Sequence, residues 1–222
     1  MMDFSAVFAE AHVFLRGTVY TLVVSALSVV VGFVIALPVC AARISQSLIL
    51  QRAAALYVSF WRGVPLLVLL LLVFYALPYI GLEFPPLVAA VIALSLCTAA
   101  YQAEILRGGL IAIPQGQRDA ARALGLTRWQ IRMQVELPQA LRIVMPALVS
   151  DVMLVVKSSA LVSVVGVLDL TRASQNLAAS SFRPFEAYLA ALLIYLVINV
   201  LISQAGHHLE LRLAVGHKRF RL

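Results

Sequence analysis

At 222 residues, 63% of them hydrophobic and 12% charged, the chain lies far from the roughly 45–50% apolar and 25% charged usage of soluble domains, which excludes a water-soluble enzyme or binding module as its main body. Its formal charge of +7 comes from Lys and Arg placed between apolar runs rather than in a continuous basic stripe, so it reads as membrane topology and not as a nucleic-acid surface. Cys40 and Cys97 each lie inside an apolar run with no second Cys or His at metal-ligand spacing; both read as small buried hydrophobes, with no disulfide and no metal site.

The opening Met1-Met2-Asp3-Phe4 lacks the positive region of a secretory signal, and the first long apolar run begins only after Arg16, so that run is expected to stay as a transmembrane helix. It extends from about Thr18 to Ala42, which at 1.5 Å per residue covers roughly 37 Å and crosses with some tilt. The second run covers Val64 to Ile80. The third starts after Pro85-Pro86 and continues with breaks to Pro114, the fourth covers Gln139 to Val167, and the fifth covers Phe185 to Gly206. Segments of this kind cross a hydrocarbon core about 30 Å thick. The predicted fold class is therefore an all-α membrane protein, one domain over residues 1–222 with five transmembrane helices. Five spans cannot be halved into inverted repeats, which points to a subunit that completes its pathway by pairing.

Orientation follows from the Lys and Arg residues, which stay cytoplasmic in short loops. Arg43, Arg52 and Arg62 lie between the first two runs, and the next loop, around Glu83, has none. Arg107, Arg118, Arg122, Arg128 and Arg132 lie between the third and fourth runs, and Arg212, Lys218, Arg219 and Arg221 lie in the tail. Arg16, Arg172 and Arg183 fall on the other side. The N-terminus is expected outside and the C-terminus in the cytoplasm. Trp61 and Tyr79, near span ends, read as interfacial anchors.

The stretch Ile113 to Pro138 is different, because it carries charges at helical spacing between two spans. Pro114 suits a first helical position, Gln117 to Leu124 is strong helix-forming sequence, and Gly125 can supply the left-handed residue that ends it. Thr127-Arg128-Trp129-Gln130 reads as a capping box that starts a second short helix. That helix is expected to break at Leu137-Pro138, where the fourth span departs. Two short helices joined at a glycine would make a compact cytoplasmic knob.

Asp119-Ala120-Ala121, three residues, Gly125, nine residues and Val135-Glu136-Leu137-Pro138 resemble the cytoplasmic "EAA" loop of permeases of ATP-binding-cassette importers, with Asp in place of the usual first Glu. Tyr101 to Gly109, Leu137 to Arg142, Arg62-Gly63-Val64-Pro65-Leu66 and Lys157-Ser158-Ser159-Ala160-Leu161 resemble its polar amino-acid branch, the His/Glu/Gln/Arg/opine permeases. The resemblance covers nearly the whole chain. It implies a type I importer permease fold, and ATPase coupling through Asp119, Ala120, Ala121, Leu124, Gly125, Leu137 and Pro138. It also implies four kinds of partner: ABC ATPase subunits, a second permease subunit, identical or paralogous, an extracytoplasmic amino-acid-binding protein, and the lipid bilayer. No Walker-type Gly-x-x-x-x-Gly-Lys sequence occurs in the chain, so ATP-Mg belongs on the partner ATPase and no cofactor is expected on this chain.

Glu104, Asp151 and Lys157 lie within or next to spans, where an ionised group costs at least about 2.5 kcal/mol and is usually partnered or lines a cavity. Tyr101, Glu104 and Gly108 share one helical face, where Glu104 either offers a carboxylate to a substrate ammonium or pairs with Arg107 or Lys157. These residues, with Lys157, Ser158 and Ser159, form the expected substrate pathway. Several relatives carry Asp-Thr where this chain has Ser158-Ser159, which counts against a preference for cationic substrates. Asn199, lone in the fifth span, reads as an interhelical hydrogen bond. His12, His207, His208 and His217 lie near the termini, away from the carboxylates of the spans, so no catalytic constellation emerges. The reading is a multi-pass inner-membrane permease subunit for polar amino acids. The alternative is an ion-driven secondary amino-acid transporter, which has no need of a docking knob.

Overall fold

The computed structural model describes residues 4–214, and every element among them is helical. Lys218, Arg219 and Arg221, on which the orientation argument partly rests, lie outside the described residues, as does His217. The helices are α1 (Ser5–Ala9), α2 (Ala11–Arg43), α3 (Leu48–Gly63), α4 (Leu66–Ala76), α5 (Pro86–Ile111), α6 (Gln115–Ala123), α7 (Arg128–Gln130), α8 (Leu137–Ser158), α9 (Leu170–Ser181) and α10 (Pro184–Ala214). Four stretches are long and apolar enough to cross a bilayer: α2, α5, Arg128–Val165 and Pro184–Arg212. A pair of helices, α3 with Leu66–Ile80, bent by 105° at a short break, is long and apolar enough only when the two are taken together.

That bend corrects the expectation of a simple loop followed by a span at Val64 to Ile80. The segment holding Arg52 and Arg62 is a helix in its own right, and it stops at Gly63 because Val64 precedes a proline and is pushed into extended backbone, with ψ at 138°. The third run departs in the opposite sense. Breaks were expected, but α5 runs unbroken for 26 residues from Pro86, since Pro85 and Pro86 occupy its start, where a missing N–H costs nothing.

The expected break at Leu137-Pro138 is also absent. Helix continues from Arg128 to Val165, and Ile131–Glu136 widens into a π-helix just before the proline. A proline ring collides with the carbonyl four residues earlier, here that of Gln134, and the wider π turn accommodates the ring within continuous helix.

Helix α5 is the centre of the bundle. Ala89, Ala90, Ala93, Ala99, Ala100 and Ala103 are buried along it, so neighbouring helices approach closely, as membrane interfaces with small residues do. A Cβ on Gly32 of α2 would stand 3.1 Å from the Ser95 carbonyl oxygen, and one on Gly109 would collide with Val144 Cγ1. Large apolar side chains such as Leu15, Val30, Leu192 and Leu196 are left exposed on the outside, where lipid would cover them.

Candidate functional site

The start of α4 joins α5 and α8 around a cavity of about 180 Å³, lined by Leu66, Leu94, Cys97, Thr98, Tyr101, Asp151, Leu154, Val155 and Ser158. Two helical stripes face each other across it. Leu94, Cys97, Thr98 and Tyr101 follow the i, i+3, i+4, i+7 rule on α5, and Asp151, Leu154, Val155 and Ser158 follow it on α8. Of the expected pathway residues, Tyr101 and Ser158 line this cavity. Asp151, singled out only as an intramembrane charge, joins them. Cys97 and Thr98 were missed, because each reads alone as a small core residue; the shared stripe was the available signal.

Asp151 is 6% exposed, and its Oδ2 accepts a hydrogen bond from Gln102 Nε2 at 2.9 Å. The Gln102 Oε1 atom is buried without a partner. Arg62, expected in a cytoplasmic loop, is carried by α3 to the flank of α5. Tyr57 Oη donates to the Leu96 carbonyl at 2.7 Å and Cys97 Sγ to the Trp61 carbonyl at 3.5 Å, so the last turn of α3 lies against the middle of α5. There the Arg62 guanidinium carbon sits 5.0 Å from the centroid of the Tyr101 ring. Trp61 packs against the apolar core and edge-on to Phe60; Tyr79 is 92% exposed.

Glu104 sits one turn further along α5, with both carboxylate oxygens engaged. Arg43 Nε donates to Oε1 at 2.8 Å, and Arg107 donates to Oε2 from Nη2 at 2.6 Å and Nε at 2.9 Å. The cluster ties the end of α2 to α5. Lys157 is exposed and makes no ion pair among the described residues. Gly108 is exposed, with open space where a side chain would be. Ser159 is buried and donates to the Val156 carbonyl at 2.8 Å, outside the cavity. Asn199 corrects its expectation, since its Nδ2 donates to Tyr195 of the same helix at 2.8 Å instead of reaching a neighbour.

The knob between α5 and α8 is built from local signals. Helix α6 starts one residue later than expected, with Pro114 in the capping position. It closes with a Schellman pair: Gly125, at φ +77°, donates to the Arg122 carbonyl, and Leu126 donates to that of Ala121. The capping box forms, with Gln130 N donating to Thr127 Oγ1 at 3.3 Å and Thr127 N donating to Gln130 Oε1 at 2.8 Å. Arg118 fastens the knob to both neighbours, donating to Glu136 Oε1 at 2.7 Å and to the Leu110 carbonyl at 2.8 Å. Ala121 is buried inside the knob, whereas Leu124 is 81% exposed at its tip. Asp119 and Ala120 are exposed beside it, and Leu137 and Pro138 are exposed at the start of α8.

Residues 28–215 match the family described as the binding-protein-dependent transport system inner membrane component. The chain is 34% identical over 215 residues to the glutamine transport system permease protein GlnP of Escherichia coli, covering 96% of this chain and 98% of that protein. It is 34% identical over 213 residues to the arginine transport system permease protein ArtQ of Bacillus subtilis, covering 96% and 97%. The crystal structure of an amino acid ABC transporter with histidines superposes with a TM-score of 0.89 at 34% identity, covering 96% of this chain and 99% of that one.

Proposed function

The chain belongs to the family of inner membrane components of binding-protein-dependent transport systems, and from that premise we propose how it works as the transmembrane permease subunit of an ATP-driven importer of polar amino acids. The observation that carries the reading is the cavity between α5 and α8, where the buried Asp151 meets Thr98, Tyr101 and Ser158. A carboxylate deep among apolar helices is expensive unless it is partnered or serves a pathway, and a substrate ammonium suits it. Glu104, whose oxygens are both taken by arginines, braces α2 against α5 below that cavity.

The exposed tip of the knob at Asp119, Ala120 and Leu124 docks on an ABC ATPase, and Gly125 sets its angle. ATP-Mg is bound and hydrolysed on that partner, while this chain transduces. A second permease, identical or paralogous, completes the pathway, and an amino-acid-binding protein delivers the substrate. Reconstitution with the ATPase and binding protein tests the reading: uptake of labelled L-glutamine is expected to need ATP hydrolysis and to survive a protonophore. Uptake by the permease alone on an ion gradient would overturn it in favour of the ion-driven carrier.

The orientation proposed is N-terminus outside and C-terminus in the cytoplasm. A cysteine replacing Glu83 is then expected to react with an impermeant reagent from outside, and one replacing Arg118 only from the cytoplasm. Labelling of both from one side would refute it.

A further inference from the structure

Among the described residues four have a left-handed backbone with positive φ, and three of them are glycines: Gly81, Gly125 and Gly166. The fourth is Phe182, at φ 55° and ψ 28°, which closes α9. Glycine adopts this conformation freely, whereas the Cβ of an L residue crowds the following carbonyl oxygen. The turn around Phe182 holds the strain in place: Ser181 Oγ donates to the Leu177 carbonyl at 2.6 Å and accepts from Arg183 N at 3.3 Å. Burial of the phenyl ring could offset that strain, but Phe182 is 88% exposed. Strain kept without compensating packing in the same chain points to a contact outside it.

The place of the turn in the bundle narrows what that contact is. Cys40, near the end of α2, packs with Leu106 of α5, on the side where Arg118 ties the knob to the Leu110 carbonyl. Phe14, at the start of α2, packs with Leu177 and Ala187, so the turn between α9 and α10 is at the opposite end of the bundle from the knob. Phe182 precedes Ala187 by five residues, which at 1.5 Å each carries it roughly 7 Å beyond the level of Phe14. The apolar run of α2 begins only after Arg16, so the ring stands outside the apolar band. It sits between Ser180-Ser181 and Arg183-Pro184 and lacks the polar edge with which Tyr and Trp anchor in the headgroup layer. An exposed aromatic beside an arginine, with polar residues around it, has the make-up of an anchor for another protein. Resting on the reading of this chain as a permease fed by an amino-acid-binding protein, with the knob on the ATPase side, we propose that Phe182 is an anchor on which that binding protein docks.

The permease with its ATPase is reconstituted in proteoliposomes, and the amino-acid-binding protein of the same transport system, loaded with L-glutamine, is titrated while ATP hydrolysis is followed. Phe182→Gly is expected to raise the binding-protein concentration for half-maximal stimulation at least about 10-fold, the loss typical of a buried aromatic anchor. Its thermal midpoint should be no lower than that of the unmodified complex, because glycine relieves the left-handed strain. Phe182→Tyr, which keeps the ring, should retain most of the response. With p-benzoylphenylalanine in place of Phe182, irradiation is expected to join this chain to the binding protein. Crosslinks to the second permease or to lipid alone, or an unchanged half-stimulating concentration in Phe182→Gly, would overturn the anchor while leaving the importer reading in place. A lower thermal midpoint in Phe182→Gly would also overturn it, by showing that the ring packs within the membrane domain. Failure of the binding protein to stimulate the unmodified complex would remove the importer reading, and the anchor with it.

Discussion

Asp151→Asn is expected to cut amino-acid uptake by about 100-fold while the protein inserts and folds normally. Losing one partner of a desolvated charge pair costs about 2–5 kcal/mol, and roughly 2.7 kcal/mol is already a factor of about 100. Folding should be spared for a specific reason. Gln102 Nε2 now donates to Asp151 while Gln102 Oε1 is buried without a partner. An Asn at 151 still accepts from that amide and brings an N–H that the orphaned oxygen can use, so the local polar balance improves as the charge disappears. Glu104→Gln is the contrasting change. Arg43 and Arg107 would keep their positions without a counter-charge, so the expected loss is in the thermal midpoint and membrane abundance of the complex. Uptake assays paired with thermal unfolding of the purified complex separate the two carboxylates. Wild-type uptake by Asp151→Asn would remove the cavity from the transport pathway.

The contrast also marks where reading the sequence succeeds and where it stops. Signals complete within one turn of chain were legible: the Thr127 and Gln130 box and the Gly125 stop appear as expected. The spans were legible from apolar length. Helix α3 was not, since Arg52 and Arg62 make it look like a loop, and only its bonds to Leu96 and Cys97 on α5 show where it lies. Arg62 consequently moved from a loop marker to the face of the Tyr101 ring on α5. The proline rule at Leu137-Pro138 failed because the chain has a second option, the π turn at Ile131–Glu136. Arg107, one turn from Glu104, was legible as its partner, but the other partners are distant in sequence, 49 positions from Gln102 to Asp151 and 61 from Arg43 to Glu104. No local pattern selects those two. The α8 stripe from Asp151 to Ser158 was nevertheless available, and it would have placed Asp151 beside Ser158 on one face before any coordinates.

Leu124→Ala is expected to uncouple transport without disturbing the membrane domain. Leu124 is 81% exposed at the tip of the knob, so its truncation leaves no cavity within this chain and should not alter the thermal midpoint. On a partner ATPase the same side chain would fill a pocket, and removing such an anchor costs about 2 kcal/mol or more, roughly 30-fold in affinity. Retention of the ATPase on permease-containing membranes should fall by that factor, and uptake with it. Ala121 serves as the internal control. It is buried within the knob, so a bulky residue there would damage the knob itself and report nothing on docking. Gly125→Val supplies the complementary case. At φ +77° a β-branched residue is strained by about 1–2 kcal/mol, enough to disturb the Schellman closure and re-aim the tip while Arg118 still ties α6 to Glu136 and Leu110. That variant should keep much of its affinity for the ATPase but hydrolyse ATP without delivering substrate. Wild-type uptake and ATPase retention in both variants would remove Asp119 to Gly125 from the coupling pathway. The docking element would then have to be sought in the neighbouring basic surface at Arg128, Trp129 and Arg132.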